Sequence, residues 1–554
     1  MALISIDKVE CKDCYKCVRF CPVKAIRVID GRAEVVEERC IGDGSCVVIC
    51  PQKAKTIRSD IDKVRTLLAS GRKVIASIAP SAKGIFYKDI YKIIGALKRS
   101  GFDRVEETCV TAEAVALEHL SCAGHEKPVI STACPAVVSL VEKYYPEHVE
   151  HLAPVVSPMA AHARELRAVH GDDTAIVFIG PCVAKKNEAP DFGIDAVLTF
   201  DELRKFIAEE IDETGSTESG FDNEPAGKGE LFPIVNGLIK SAGIEDDSFD
   251  PTVISVSGVP DIMDTLEELN GLKNIRIIEA LACKGGCLMG AGAAQGPDLW
   301  ERRNNLLELA SMEGKGVFPA DLGRSFDSPP LELPLPSEEE IVAILKLTGK
   351  TKPEDEHNCG ACGYNTCREK AIAVFQGMAE AEMCIPYMRF RAESLANEIV
   401  RTTPNAISIV DGDFRFLSIN PSFEKIFNLK MDDIAGRPIE PFLDPNSYKR
   451  VLRTGKHFTN HNIEHDGATL SELVFLIPGE EILVGIYVDV TDRVDHEKKI
   501  ATVKKETLEK AEIVIENQMK VAHEIAGLLG ETTADTKVLL TRLKNLFDDE
   551  TAKD

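Results

Sequence analysis

The sequence has 554 residues, a formal net charge of −25 and 44% apolar residues. A chain of this length is expected to hold several domains, with ample apolar material for their cores. The acidic balance disfavours nucleic acid and anionic membrane surfaces as partners, and no apolar run approaches the roughly 20 residues of a membrane helix. The first residues do not read as a signal peptide, so the seventeen cysteines favour metal sites in a soluble, cytoplasmic protein over disulfides.

Two runs of cysteines open the chain. The first has the spacing C-x2-C-x2-C-x3-C-P, which is typical of a bacterial two-cluster ferredoxin, where the fourth cysteine of each run serves the other cluster. The second run carries Asp43 at a position where a thiolate is expected. We therefore predict that one [4Fe-4S] cluster is bound by Cys11, Cys14, Cys17 and Cys50, and a second by Cys21, Cys40, Cys46 and, as an open fourth ligand, Asp43.

The Asp43 position leaves the nature of the second cluster open. A carboxylate is a harder and weaker ligand for iron than a thiolate, so this site is interpreted as either three-iron or four-iron. Zinc would also bind thiolates, although two interleaved runs that each end before a proline are not a zinc-ribbon layout.

After a predicted helix over residues 59–70, short apolar strands alternate with amphipathic helices as far as about Leu322, which predicts an α/β fold. The candidate strands are Lys73–Ile78, Lys127–Thr132, Ala175–Gly180, Val253–Ser257 and Asn274–Ala280. Three of these strands run into loops that carry cysteine: Cys134 in the first loop, Cys182 in the second, and Cys283 with Cys287 in the third. Loops at the ends of strands are where α/β folds gather their chemistry.

These three loops, in this order and downstream of ferredoxin-like runs, resemble the iron-only ([FeFe]) hydrogenases over residues 1–325. The resemblance implies an H-cluster in which a [4Fe-4S] cluster is joined to a diiron centre that carries CO and cyanide. Its implied ligands are Cys134, Cys182, Cys283 and Cys287, with Cys287 also bridging to the diiron centre.

The resemblance also assigns roles around the diiron centre. Lys185 matches a lysine next to one cyanide, Glu188 matches its buried partner, and the Pro80-Ser81 segment matches donors to the other cyanide. A buried anionic cofactor does need a cation and donors around it, because unpaired charge in an apolar pocket is costly. The alternative interpretation is an exposed Lys185–Glu188 ion pair at the start of a helix.

Several positions depart from the catalytic members of that family. Those members have a proton-relaying cysteine directly before the residue matched by Cys134, where this chain has Ala133, and alanine cannot act as an acid or base. His119 and Cys122 stand where carboxylates of the proton path are expected, and Gly180 and Leu281 stand in place of two loop methionines. Slow turnover is the implied consequence.

The region after a proline-rich linker is predicted to hold one more [4Fe-4S] cluster. Its C-x2-C-x4-C-x16-C spacing, formed by Cys359, Cys362, Cys367 and Cys384, resembles small domains of anaerobic electron-transfer proteins. Zinc is the open alternative, since it would bind the same thiolates.

Residues 392–493 lack cysteine, and a hairpin around the Asp411-Gly412 turn followed by a helix resembles a PAS domain, a sensory and dimerising module. His457, His461 and His465 are either haem-ligand candidates or, as we expect, surface residues of a polar loop. The tail from Val494 to Leu546 has helical spacing and is predicted to dimerise or dock. His523 resembles a phosphoacceptor, but no ATP-binding domain follows, and a structural histidine is the expected role.

The predicted fold is thus a multidomain α+β and α/β chain. Its parts are a two-cluster ferredoxin domain (residues 1–58), an [FeFe]-hydrogenase-like α/β domain (59–327), a four-cysteine Fe–S domain (335–391), a PAS domain (392–493) and a helical signalling tail (494–554).

Three functions fit this organisation. The first is an H2-responsive redox sensor with H2, protons, a redox protein such as ferredoxin and an unknown signalling protein as partners, acting as a homodimer. The second is a catalytic, ferredoxin-linked hydrogenase. The third is a hydrogenase-like protein that keeps the four-iron site without the diiron centre.

Overall fold

The computed structural model describes residues 2–7, 9–124, 127–208, 218–244, 250–272, 274–326, 329–529 and 538–544. The chain forms two compact units, residues 1–388 and residues 389–554. None of the helices among the described residues is both long and apolar enough to cross a membrane.

The amino-terminal part is a small α+β fold around the two cysteine runs. Its elements are β1 (Ile4–Ile6), α1 (Lys16–Phe20), β2 (Ile26–Ile29), β3 (Arg32–Val35), α2 (Ser45–Val48) and β4 (Lys55–Ile57). Strands β1 and β4 pair antiparallel, and β2 and β3 form an antiparallel hairpin. The two short helices carry Cys17 and Cys46, and both cysteines are buried.

Residues 61–309 form the α/β part, and the five strands predicted there are confirmed. The strands are β5 (Val74–Ile78), β6 (Arg104–Glu107), β7 (Val129–Ile130), β8 (Ala175–Gly180), β9 (Ala196–Thr199), β10 (Val253–Ser257) and β11 (Ile277–Leu281). The helices are α3 (Ile61–Leu68), α4 (Ser81–Phe86), α5 (Ile90–Arg99), α6 (Ala112–Cys122), α7 (Pro135–Tyr144), α8 (Pro158–His170), α9 (Lys185–Glu188), α10 (Phe200–Phe206), α11 (Gly237–Ser241), α12 (Val259–Glu267) and α13 (Leu299–Leu309).

The strands build two parallel sheets. One has the order β6-β5-β8-β9 and the other the order β10-β11-β7. Strands β5 and β8 are buried along their whole length, which explains their continuous apolar sequences, because helices cover both faces of a parallel sheet. The carboxyl ends of β8, β11 and β7 lead into the three cysteine loops.

The last part of the first unit is helical. Helix α14 (Glu338–Leu347) begins with a capping box between Ser337 and Glu340, and α15 (Cys367–Phe375) begins at the cap Thr366. Such caps satisfy free backbone N–H groups at a helix start. Tyr364, Met378 and Met383 of this part share a hydrophobic core with residues of the amino-terminal part, which is called the ferredoxin part because of its cysteine spacing (residues 1–58).

The second unit contains the predicted PAS fold. Its elements are α16 (Ile385–Thr402, which begins in the first unit), β12 (Ala406–Asp411), β13 (Phe416–Ile419), α17 (Pro421–Phe427), α18 (Met431–Ile434), α19 (Asn446–Thr454), β14 (Phe458–His465), β15 (Ala468–Leu476), β16 (Ile482–Asp489) and α20 (Thr491–Leu529). The antiparallel sheet has the order β13-β12-β16-β15-β14. Residues 530–537, 545 and 546 of the predicted tail helix lie outside the described residues.

The expectation of a polar loop around three histidines is wrong in part. His461 and His465 belong to strand β14, and the ring of His465 lies 4.7 Å from that of Phe427. The core of this unit is a hydrophobic cluster that includes Tyr448 and Tyr487. Within it the hydroxyl of Tyr448 lies 2.8 Å from those of Ser408 and Tyr487. His523 is exposed on α20.

Candidate iron–sulfur and diiron centre

The two parallel sheets bring the cysteine loops together at their carboxyl ends. Strand β5 leads to Pro80 and Ser81, and its neighbour β8 leads to Cys182; the amide of Ala79 donates to the oxygen of Ile179 (2.8 Å) at this edge. In the other sheet β7 leads to Cys134 and its neighbour β11 leads to Cys283 and Cys287, with the amide of Ser131 donating to the oxygen of Ile278 (2.9 Å).

The four thiols of these loops lie close enough to act on one another electrostatically. Burial, with a further contribution from the charge of Cys134, raises the pKa of Cys182 to about 11. The pKa values of Cys283 and Cys287 are also raised, first by burial and then by their neighbouring thiols. All seventeen cysteines are free thiols. A set of thiols that oppose one another's ionisation is stabilised as thiolates when a metal supplies positive charge.

The donor set therefore fits an iron–sulfur cluster, which is bound by four cysteine thiolates at its several irons. Among the described residues, no three His, Cys, Asp or Glu side chains are gathered tightly enough to hold a single metal ion. A cluster is a larger body than one ion, and its ligands surround it from further apart.

Lys185 and Glu188 form a buried pair beside these thiols, not the exposed pair of the alternative interpretation. The Nζ of Lys185 lies 2.5 Å from Oε2 of Glu188 and donates to the backbone oxygen of Ala133 at 3.3 Å. The positive charge of Lys185 lowers the pKa values of Cys182 and Cys287 against the effect of burial. The ammonium group of Lys185 thus lies close enough to Cys182 and Cys287 to offset the negative charge of their thiolates.

Ser81 provides a second donor at the same edge of the sheets. Its side chain is fully buried, and its Oγ has no hydrogen-bond partner among the described residues. A buried hydroxyl without a partner is costly, and a bound acceptor would satisfy it. Pro80 lies directly before it, at the cap of helix α4.

His119 lies next to the segment that carries Ala133. Nδ1 of His119 lies 2.7 Å from the oxygen of Val115, and its Nε2 accepts from the amide of Thr132 at 3.1 Å, next to Ala133. Burial lowers the pKa of His119 to about 4, so the ring is neutral near pH 7 and its contacts fix both nitrogens. Cys122 lies at the end of α6, where burial raises its pKa.

Packing explains why Gly180 stands where the catalytic family members are expected to have a methionine. A Cβ at this position would lie 2.7 Å from the ring of Phe178 and 3.2 Å from Cβ of Ala79. A side chain as long as methionine has no space here unless Phe178 moves. Leu281, the other departure, is buried at the end of β11.

In the ferredoxin part, cysteines assigned to the same predicted set have contacts or electrostatic neighbours in common. The thiols of Cys14 and Cys50 both lie against Oε1 of Gln52, at 3.7 and 3.9 Å, and Cys11 acts electrostatically on Cys17. In the second set, burial raises the pKa values of the cysteines and the charge of Asp43 raises them further: Cys21, Cys40 and Cys46.

Asp43 itself is held by its own loop. Ser45 donates to its Oδ2 from the backbone amide at 3.3 Å and also from its hydroxyl. Burial raises the pKa of Asp43. The carboxylate therefore stands among three thiols with donors on one oxygen, an arrangement compatible with an iron ligand.

The four cysteines of the helical part line one small cavity: Cys359, Cys362, Cys367 and Cys384. Two lysines reach into the same lining, and the Nζ of Lys350 lies 3.2 Å from the sulfur of Cys384. Burial lowers the pKa of Lys370 while the thiols of Cys384 and Cys362 raise it. Ammonium groups of this kind stabilise anionic thiolates.

Sequence reasoning missed residues whose partners are distant along the chain. Arg324 donates to Oε1 of Glu188 at 3.2 Å, across 136 positions. Lys83 pairs with Glu107 at 2.8 Å and with Glu230 at 2.6 Å in a buried group beside Cys109. No local motif predicts such long-range contacts. The position of Lys83, two residues after Ser81, could have marked it as a candidate residue of the site.

Family models match four regions of the chain. They are the 4Fe-4S dicluster domain (residues 3–51), the carboxyl-terminal domain of the iron-only hydrogenase large subunit (72–291), an Fe-S cluster domain (356–386) and the PAS domain (404–492). The four matched regions follow one another along the chain, and the hydrogenase match covers less than half of its length.

Three relatives show how far the similarity extends. The chain is 24% identical over 376 residues to the NADP-reducing hydrogenase subunit HndD of Solidesulfovibrio fructosivorans and 26% identical over 369 residues to iron hydrogenase 1 of Clostridium pasteurianum. Each match covers 52% of this chain and 64% of the relative, a little under two thirds of its length. The probable cytosolic Fe-S cluster assembly factor oxy-4 of Caenorhabditis elegans is 23% identical over 336 residues, which cover 49% of this chain and 73% of the relative.

The chain thus carries a domain of the iron-only hydrogenase large subunit between a 4Fe-4S dicluster domain and a carboxyl-terminal PAS domain. The predicted fold class is confirmed.

Proposed function

We propose that this chain is a sensory [FeFe] hydrogenase that reacts with H2 at an H-cluster and relays its redox state through [4Fe-4S] clusters to a PAS and helical output. The observation that carries the proposal is the double contact of Lys185, which donates to Glu188 and to the backbone oxygen of Ala133. The cation that suits an anionic diiron centre is kept, while the residue beside it has no proton to give.

Four cysteines would bind the four-iron part of that cofactor: Cys134, Cys182, Cys283 and Cys287, with Cys287 bridging to the diiron centre. When bound, the diiron centre supplies the chemistry that converts H2 into two protons and two electrons. Lys185 and Ser81 would donate hydrogen bonds to its two cyanides, and Glu188 fixes the ammonium of Lys185. Ala133 has no group that could give a proton to the centre or take one from it.

The fixed, neutral His119 supports the same conclusion. A relay group must be able to gain and lose a proton near the working pH, and a pKa of about 4 keeps this ring out of that exchange. His119, which stands where a carboxylate of the proton path is expected, therefore stays neutral near pH 7, and burial raises the pKa of the second group, Cys122. Slow turnover suits a receptor, which needs to report H2 without consuming it quickly.

The oligomeric state, the binding partners and the subcellular localisation of the chain are also part of the proposal. We infer a cytoplasmic homodimer that associates through the PAS domain and α20, with a ferredoxin as redox partner and a separate signalling protein downstream. Exposed apolar residues of α20, among them Ile500, Val503, Val514 and Val521, support the helical association. Measurement of the molar mass in solution tests it, and a monomer at micromolar concentration would contradict it.

Turnover separates the sensory proposal from a catalytic hydrogenase. Matured protein is assayed for H2 evolution with a reduced dye beside a catalytic [FeFe] hydrogenase matured in the same way. We expect a rate lower by about 10²-fold or more, which is the contribution of one positioned acid–base group. Equal rates would replace the sensory proposal by the catalytic one.

A cluster-only protein is the second alternative, and the similarity to a cluster assembly factor favours it. Infrared spectra of matured protein distinguish the two. Bands of CO and cyanide support a diiron centre, whereas their absence together with a full four-iron content would leave the cluster-only function.

A further inference from the structure

The four-cysteine site of residues 359–384 lies against the ferredoxin part of the same unit. Nη2 of Arg19 donates to the oxygen of Ala361 (3.1 Å), and Nζ of Lys24 donates to the oxygen of Gly363 (3.0 Å). On the other side of this contact, the amide of Val28 donates to the oxygen of Met378 at 3.0 Å. The two cysteine-rich parts are thus joined by two side-chain-to-backbone hydrogen bonds and one backbone hydrogen bond.

Tyr364 lies at the centre of this contact. Its side chain is 3% exposed, and the ammonium of Lys24 lies 5.9 Å from the centre of its ring. Its electrostatic neighbours include Cys362 of the four-cysteine site and Cys21 of the second ferredoxin site. The hydroxyl has no hydrogen-bond partner among the described residues, so the ring, not the hydroxyl, fills the space between the two sites.

The second ferredoxin site meets the cysteine loops of the hydrogenase domain on another side. A Cβ on Gly42 would lie 3.2 Å from Cα of Ala184, and one on Gly44 would lie 2.4 Å from Cβ of Ala291. Both glycines have positive φ, +74° and +75° respectively, a conformation that favours glycine. The Asp43 loop is therefore pressed against the segments that follow Cys182 and Cys287.

Asp43 also reaches the hydrogenase loops electrostatically. Its charge acts on Cys283, and both residues line one cleft of about 680 Å³. Helix α7, which starts after Cys134, is tied to the same site by Nζ of Lys143, which donates to the oxygen of Cys40 at 2.7 Å. The second ferredoxin site thus has the hydrogenase loops on one side and Tyr364 on another.

We propose that the second ferredoxin site, with Cys21, Cys40, Cys46 and Asp43, is the junction between the hydrogenase loops and the four-cysteine site, and that Tyr364 is the residue that positions the four-cysteine site on it. The inference deepens the proposed function and rests on it for its physiological direction. Each passage through the junction moves one electron, so two passages account for the two electrons released when H2 becomes two protons. Helix α16 begins directly after Cys384, which makes this site the last one before the PAS domain along the chain.

A competing route runs through the first ferredoxin site. Tyr15 has both Cys11 and Glu380 of the helical part among its electrostatic neighbours, and Glu380 accepts from the amide of Gly31 at 3.1 Å. Tyr15 is only partly buried, whereas Tyr364 fills a sealed contact. The experiment must therefore tell the two ferredoxin sites apart.

The test uses the full chain reconstituted with iron and sulfide alone and reduced with dithionite. Electron paramagnetic resonance should show signals broadened by magnetic interaction between neighbouring reduced clusters. We expect Tyr364→Ala to lose the broadening assigned to the four-cysteine site with unchanged iron content, and Tyr364→Phe to keep it. Arg27→Ala, which removes an exposed cation of the ferredoxin part that pairs with Glu34, is the control.

Two further variants identify the partner site. The broadening should survive in Cys14→Ala, which disrupts the first ferredoxin site, and disappear in Cys46→Ala, which disrupts the second. The reverse pattern overturns the proposal. If Tyr364→Ala loses iron, Arg19→Ala weakens the same contact more mildly; full broadening in that variant with intact iron content also overturns it.

The experiment needs neither H2 nor a diiron centre. Failure of the junction leaves the H2 proposal standing, and a protein without CO and cyanide bands leaves the junction testable. The two failures are therefore distinguishable.

Discussion

Lys185 and Glu188 form a buried ion pair with 2.5 Å between Nζ and Oε2, one turn after Cys182. The other carboxylate oxygen of Glu188 accepts from Arg324 at 3.2 Å, and Ser157 donates to Oε2 at 3.2 Å. Every oxygen of this carboxylate is thus engaged. The network holds the ammonium of Lys185 against the cysteine loops, where its charge opposes the effect of burial on the thiols.

Replacement of Glu188 by glutamine should loosen this lysine. Breaking one partner of a buried pair typically costs about 3–5 kcal/mol, because a buried charge loses its counter-charge. We expect Glu188→Gln to lower the free energy of unfolding by this order and to shift the cyanide bands of matured protein. Chemical denaturation and infrared spectroscopy measure the two effects.

The matched control is a buried pair one position along the chain. Lys186 lies 3.0 Å from Oε2 of Glu202 and 3.5 Å from Asp60, on the side of strand β9. Glu202→Gln should reduce stability to a similar extent but leave the cyanide bands in place. If Glu188→Gln and Glu202→Gln shift the cyanide bands equally, the bands respond to destabilisation of the whole domain and not to the position of Lys185.

A thiol at position 133 should speed turnover. Ala133→Cys supplies the missing acid–base group beside Lys185, and a positioned group of this kind contributes about 10²–10⁴-fold. Because His119 still interrupts the onward path, we expect a smaller gain in the single variant than in Ala133→Cys combined with His119→Glu. H2 evolution measures both, and Ala133→Ser is the control of similar size. No gain in the double variant would locate the slow step elsewhere.

The residue at position 43 should determine how readily the cluster of the second ferredoxin site loses one of its four irons. In Asp43→Cys a softer thiolate replaces the carboxylate, and we expect four irons to be retained after mild oxidation. The unaltered chain should lose one iron more readily and show a three-iron signal in electron paramagnetic resonance. Asp13→Asn, in the loop of the first run, should behave as the unaltered chain does. Equal iron loss with Asp43 and with cysteine would argue against ligation by the carboxylate.

His119 should make stability depend on pH. Burial lowers its pKa to about 4 in the folded chain, against about 6.5 when unfolded. The unfolded chain therefore binds a proton first as the pH falls, so the contribution is fully present above pH 6.5 and is lost towards pH 4. The total loss is about 3 kcal/mol. Urea unfolding of anoxic protein at several pH values, compared with His119→Gln, measures it; parallel curves for both proteins would contradict the assignment.

Five strands of the α/β part and the three cysteine loops were predicted, because apolar runs and regular cysteine spacings are local signals, whereas β6 and β9 were not among the predicted strands. The buried state of Lys185 was also expected from its place after Cys182. Spacing alone could not say that Gly42 and Gly44 press the Asp43 loop onto Ala184 and Ala291, since that contact joins residues over 140 positions apart. In the sequence, a close approach between two backbone segments is indicated only by a glycine, which does not reveal the partner segment.

Other features escaped prediction for related reasons. Arg324 belongs to no motif, and Tyr364 occupies one of the unspecified positions between two motif cysteines. Their roles depend on residues distant along the chain, since Arg324 donates to Glu188 and Tyr364 has Cys21 as an electrostatic neighbour. The histidines of the PAS domain were expected in a loop because their segment is polar, yet β14 forms there as an edge strand of the sheet. Edge strands tolerate polar residues on their exposed side.

The central claim is tested most directly by infrared spectroscopy of matured protein under N2 and then under H2. The account predicts bands of CO and cyanide whose positions change when H2 is admitted and return when it is removed. A spectrum with such bands that is the same under both gases would contradict a receptor for H2.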